Sequence, residues 1–205
     1  MRSDARDGRT IADAAGVAER FTDYSVPDAG VRAVFARDRV WQSWIDVEVA
    51  LAAAEADAGI VPRSAAERIA SIGDLERLDR ERITEGMRRQ GHPLVPIIEE
   101  LARVAGPGAG GWVHWGATSQ NIMQSGNAVL LDRAHGIVRG LLRECLAALA
   151  DLADRSADMI MPGRTHGQHA VPITFGLKAA TWADDLLRGR DRLDHGVEPC
   201  LRVMM

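Results

Sequence analysis

The sequence predicts an all-α protein, an N-terminal helical domain followed by the start of a long-helix bundle. Three observations predict it. Ala and Leu dominate a chain whose aromatic content is only 4%, a composition that favours helix over strand, where Val, Ile, Tyr and Phe would be enriched. Apolar residues recur at helical spacings through several stretches, as one face of a helix requires. From Ser119 to Asp158 there is no proline, and at ~1.5 Å per residue that run allows a helix of roughly 60 Å.

Residues 1–24 are polar and rich in Gly and Asp, and read as a flexible N-terminal arm. An N-terminal helical domain over 25–111 follows, and 112–205 opens the long-helix bundle. Ser25 and Asp28 offer start signals for a helix from about Val31 to Ala58, with Val34, Trp41, Ile45, Val49 and Ala52 on one face and Gly59 and Pro62 as its stop. Ser64 and Glu67 have capping-box spacing before a short helix that ends near Ile72. A charged helix ends at Gly91, and another begins after Pro93 or Pro96 and stops at Gly106. "GPGAGG" (106–111) reads as a loop; it lacks the GK[ST] of a phosphate-binding fingerprint. The long helix from Ser119 carries a seam of Leu131, Ala134, Val138, Leu141, Cys145, Leu149 and Leu152, spaced as in a packed bundle. A second long helix should run from about Pro172 past Leu193. Two such helices need further helices, from more sequence or other subunits, to close a core.

Charge and composition narrow the function. The chain has 205 residues, 46% of them hydrophobic, and a net charge of −4 with the signs interspersed. That excludes disorder and gives no basic patch for nucleic acid or an anionic membrane. No apolar run approaches a membrane span, and MRSDARDGRT is no signal peptide, so a cytoplasmic location is expected. Cys145 and Cys200 make neither a disulfide framework nor a zinc site.

Two polar breaks carry the chemistry. "HWGATSQN" (114–121) precedes the longest helix and "GRTHGQHA" (163–170) the next. Thr118, Ser119, Gln120 and Asn121 sit at a helix N-terminus, where free N–H groups and the dipole favour anions. Plain N-capping is the alternative, since Ser and Thr are preferred caps. One polar residue caps a helix, whereas Arg164, Thr165, His166, Gln168 and His169 are five. His166 and His169 are three apart, but no third ligand and no HExxH accompany them, so no metal is expected. His92 and His114 lie in loops beside the breaks and remain candidates; His135 and His195 read as solvated, on charged helical stretches.

"HWGATSQN" followed by "MPGRTHGQHAVPITFG" resembles the fumarase/aspartase superfamily, nearest its adenylosuccinate lyase and carboxymuconate cycloisomerase branch. "FARDRVWQSWIDVEVALAAAEADAGIVP" and "GHPLVPII" also resemble segments of that branch, so the likeness runs from about residue 30 onward. It implies a three-domain helical subunit more than twice this length, of which this chain is the N-terminal half. It further implies a homotetramer whose active sites collect loops from three subunits, no cofactor, and a small dicarboxylate substrate.

The family's reaction is β-elimination through an aci-carboxylate, usually with release of fumarate. By position, Thr118 and Ser119 match carboxylate binders, Thr165 and His166 the acid or relay, and Gln168 a substrate contact. His92 matches a histidine that supports the acid, and Lys178 reads as structural. Arg164, Gln120 and Asn121 join the binding set.

The sequence departs from the family at three places. Asn121 stands where an acidic residue is usual, with Gln124-Ser125 for Asp-Thr. His92-Pro93 replaces the His-Asp of adenylosuccinate lyases, and His166-Gly167 the Trp-Leu of cycloisomerases. A retained His166 fits elimination of a poor leaving group. The family's base, a serine on a Gly-Ser-Ser loop, has no counterpart in these residues. Two other readings follow: a 3-carboxy-cis,cis-muconate cycloisomerase, and a non-catalytic helical scaffold.

Overall fold

The computed structural model describes residues 28–202. Among them the fold is helical with one small hairpin. The helices are α1 (Val31–Val34), α2 (Arg37–Asp57), α3 (Arg63–Ile72), α4 (Arg80–Gln90), α5 (Val95–Ala105), α6 (Ser119–Arg155) and α7 (Phe175–Val197). Strands β1 (Ile160–Thr165) and β2 (Gln168–Thr174) pair antiparallel between α6 and α7. The chain divides into two compact units, the first running to Leu131 and the second from Asp132 to Leu201. Helix α6 contributes to both.

In the first unit the apolar faces of α2, α3, α4 and α5 meet with the start of α6. Ile45, Ile69, Ile83, Leu94, Ile97, Leu101 and Ile122 are fully buried there. The expected stripe is largely real: on α2 Trp41, Ile45 and Ala52 are buried and Val49 half-buried, and Val34, on α1, is half-buried. The single helix expected over 31–58 is instead two, because Ala36 is extended (ψ 145°) and serves as the N-cap of α2. Asp28 does act as a start signal, its Oδ1 accepting from Gly30 N at 3.0 Å; Ser25 lies outside the described residues.

The capping box at Ser64 and Glu67 does not form. Pro62 is the N-cap of α3, its carbonyl accepting from Ala65 and Ala66, so Ser64 already lies inside the first turn. The charged segment after Gly73 is a 3-10 turn (Leu75–Arg77) and then α4. Asp79 caps α4, accepting from Glu81 N and Arg82 N.

In the second unit α6 and α7 run antiparallel. His135 Nε2 and Arg139 Nε each lie 3.2 Å from Asp194 Oδ1, while Gly176 packs on Ala153 and Ala157 at the other end. A Cβ on Gly176 would fall 2.5 Å from the Ala153 carbonyl oxygen, so only glycine admits this approach. His135 is therefore not solvated: its side chain is 11% exposed and tied to α7. His195 is exposed, with Nδ1 2.6 Å from the Asp191 carbonyl. Cys145 and Cys200 are free and exposed. No described helix is long and apolar enough to cross a membrane.

Candidate active site

The first polar break belongs to the first unit. Helix α6 begins at Ser119, as expected, so Thr118 immediately precedes it and Ser119, Gln120 and Asn121 occupy its first turn. The Asn121 carboxamide oxygen accepts from Thr118 N at 3.0 Å, and the Thr118 carbonyl accepts from Asn121 N and Ile122 N. Asn121 thus performs the reciprocal half of a capping box, reaching back from the third helical residue. Thr118 and Gln120 are exposed and Ser119 and Asn121 half-buried. The N–H groups of this turn and the positive end of α6 suit an anionic ligand.

Two non-glycine residues among those described have positive φ, His114 (62°) and His166 (47°), one in each polar break. Such backbone persists where surrounding structure over-determines it. His114 Nδ1 lies 2.6 Å from Glu48 Oε1, with the Glu48 side chain 1% and the His114 side chain 19% exposed. Glu55, two turns along α2, lies under the same loop: a Cβ on Gly116 would sit 3.3 Å from its Oε1. Burial pushes the Glu55 carboxyl above its ordinary value, and the negative charge of Glu48 adds to the rise. Trp115 stacks obliquely on Trp112 at 5.0 Å.

His92 is also in the first unit. Its Nδ1 accepts from Leu94 N and Val95 N, both at 3.1 Å, at the start of α5. That fixes the tautomer, with the ring proton on Nε2.

The second break is not the simple helix-to-helix interruption that the sequence suggested. Arg164 and Thr165 end β1, Gln168 and His169 begin β2, and His166-Gly167 is the two-residue turn between them. Positive φ at both turn residues (47° and 74°) marks a type I′ turn, whose twist matches antiparallel strands. All five polar residues are exposed. Helix α7 starts at Phe175 rather than Pro172, because Pro172 pairs opposite Pro162 in the hairpin and Thr174 Oγ1 caps α7 by accepting from Leu177 N. Proline is tolerated here because both strands of a two-stranded sheet are edges.

A groove between β1 and α7 is lined by Met161, Arg164, Ile173, Lys178 and Trp182. Lys178 Nζ lies 5.5 Å from the Trp182 ring centroid. Lys178 thus shares a groove with Arg164, where sequence reasoning read a structural residue.

The structure therefore gathers the assigned residues into two sets. Thr165, His166, Gln168 and Arg164 share the hairpin, and Thr118 to Asn121 share the α6 N-terminus, with His92 apart on the start of α5. Among the described residues no three His, Cys, Asp or Glu are placed to hold a metal ion. Sequence reasoning missed Glu48 and Glu55. The available signal was a carboxylate on the apolar stripe of α2, since Glu48 follows Ile45 by three and precedes Ala52 by four.

A family model described as "Lyase" matches residues 19–202. An adenylosuccinate lyase of Methanothermobacter thermautotrophicus is 39% identical over 171 residues, covering 83% of this chain and 38% of that protein. A 3-carboxy-cis,cis-muconate cycloisomerase of Pseudomonas aeruginosa is 39% identical over 168 residues, covering 80% of this chain and 37% of that protein. The crystal structure of a fumarate lyase from Mesorhizobium sp. BNC1 superposes with a TM-score of 0.76 at 35% identity, over 82% of this chain and 40% of that one. The chain thus spans about two-fifths of the length of these relatives.

Proposed function

The chain belongs to the lyase family, within the fumarase/aspartase superfamily, and from that premise we propose that it serves β-elimination from a small succinyl-type dicarboxylate with release of fumarate. The α6 N-terminus, through Thr118, Ser119, Gln120 and Asn121, binds a substrate carboxylate. A base removes the proton beside that carboxylate, and the resulting aci-carboxylate gains negative charge. N–H donors already aimed at that position stabilise the charge without reorganising. The bond to the β substituent then breaks, its electron pair leaves with the nitrogen, and His166 protonates it. Thr165 and Gln168 orient His166 and the substrate, and Arg164 pairs with the second carboxylate. His92 supports the acid. The base comes from outside these 205 residues, and a homotetramer brings the sets together.

The observation that best supports this reading is the hairpin apex. A type I′ turn puts His166 at an exposed tip, between Thr165 and Gln168, in a turn position where asparagine, aspartate or glycine is the usual residue. A histidine there also favours elimination of a poor leaving group, such as an amine, over the cycloisomerase reaction. A scaffold would have no use for this polar density.

Fumarate release by the native protein, followed by absorbance with adenylosuccinate, aspartate and nitrosuccinate, tests the proposal. His166→Ala and Ser119→Ala should each lower kcat/KM by about 100-fold or more with the thermal midpoint unchanged. Full activity in both variants would reject the site assignment. Lactone formation from 3-carboxymuconate without fumarate release would favour the cycloisomerase.

A further inference from the structure

Glu48 is a carboxylate where the helical pattern calls for an apolar side chain. It lies on the buried stripe of α2 and is 2% exposed. Its Oε1 meets His114 Nδ1, and its Oε2 has no hydrogen-bond partner among the described residues. An apolar residue of similar size would avoid both the desolvation and the unpaired oxygen. Packing therefore does not account for Glu48, and its one bond is to His114.

The His114 backbone points the same way. Its left-handed φ of 62° is unusual for a residue with a β-carbon, and Gly116 repeats it at 69°. Between them these residues turn the chain over α2, with Gly116 lying on Glu55 and the Glu48–His114 bond joining loop to helix. The chain then enters Thr118 and the first turn of α6. A carboxylate only accepts, so with Glu48 ionised the proton of the pair sits on Nδ1, and Nε2 is the ring nitrogen left to other partners.

We propose that Glu48 is a positioning residue for the carboxylate-binding turn: by accepting the Nδ1–H of His114 it sets that ring's tautomer and the left-handed backbone from which Thr118 and Ser119 are presented to a dicarboxylate. The proposal rests on the assignment of Thr118 and Ser119 as carboxylate binders.

Two measurements on the native protein test it. In protein labelled with 15N-histidine, His114 should show a low-field proton on Nδ1, assigned by its loss in His114→Gln and absent in Glu48→Met, which keeps the length of the side chain and removes the oxygen acceptors. In steady-state assays Glu48→Met should raise KM about 10-fold or more, as loss of a group that orients a ligand-binding residue does. Its kcat should change less, its thermal midpoint should hold, and Glu48→Asp, which keeps the acceptor, should recover part of the KM. An unprotonated Nδ1 in the wild-type protein, or a wild-type KM in Glu48→Met, overturns the proposal. If Glu48→Met does not fold, the wild-type resonance alone decides. Absence of fumarate release from wild-type protein would instead reject the proposed function, and the Nδ1 proton would still report on Glu48.

Discussion

Single residues in this chain separate charge that holds the fold from charge placed for chemistry. Glu100 belongs to the first kind. It is buried on α5 and receives Arg103 Nη2 at 2.7 Å and Nε at 2.8 Å, Asp79 N at 3.0 Å and Arg82 Nε at 3.3 Å. The hydrogen-bonded Arg103 guanidinium lowers its carboxyl below the ordinary value; burial opposes this, and the Asp79 N–H and the two arginine charges reinforce it. A depressed acid stabilises the fold above its unfolded pKa and loses that contribution as pH falls through the folded one. Glu100→Gln should therefore cost about 2 kcal/mol at pH 7, and the difference from wild type should shrink once pH falls below about 4. Urea unfolding at several pH values measures this, and a deficit independent of pH would reject it. Glu48 has no such set of partners, which is why its bond to His114 calls for a different explanation.

At the scale of elements, the β1–β2 hairpin decides where His166 goes. A two-stranded hairpin alone is marginal in water. This one is anchored at its base, where Phe175 N donates to Met159 O at 2.8 Å and Gly176 N to Ser156 O at 2.9 Å. Ile160 and Val171 stay 78% and 74% exposed, so burial of these side chains contributes little. Register instead depends on the irregularity between Pro162 and Arg164, where Gly163 lies against β2. A Cβ at Gly163 would fall 2.5 Å from the Val171 carbonyl oxygen, a backbone atom that cannot rotate away. Gly163→Ala should destabilise by about 1–3 kcal/mol and reduce turnover, through displacement of the His166 turn. Amide exchange across Thr165–Gln168 together with kcat checks it; an unchanged exchange pattern would show that the strands absorb the methyl group.

At the scale of the whole molecule, the second unit leaves apolar surface uncovered. Leu141, Leu177, Trp182 and Leu187 are 45%, 58%, 43% and 37% exposed on α6 and α7. Leu141 belongs to the seam that the sequence shows, yet within this unit only Ala134 of that seam is buried. Uncovered stripes on long helices mark association surfaces, and they support the proposed homotetramer. Leu141→Arg should dissociate it, seen by sedimentation velocity, and abolish fumarate release with it. An intact and active Leu141→Arg assembly would place the subunit contacts elsewhere.

The sequence by itself determined the helical class, the α6 start at Ser119 and the family, because apolar periodicity, cap chemistry and two polar boxes are local properties of the chain. It placed Thr118–Asn121 correctly at a helix N-terminus for the same reason. It misread residues 160–174, since a polar stretch with prolines and glycines reads as a break until the pairing of its two halves is known. Only the tertiary structure showed the hairpin, the His166 turn, the tie between His135 and Asp194, and Glu48 beneath His114. The hairpin and its turn depend on two neighbouring strands pairing, and the other two contacts on residues 59 and 66 apart in sequence approaching within hydrogen-bonding distance. A hydrophobic pattern places such residues on a face but does not show which group they meet there.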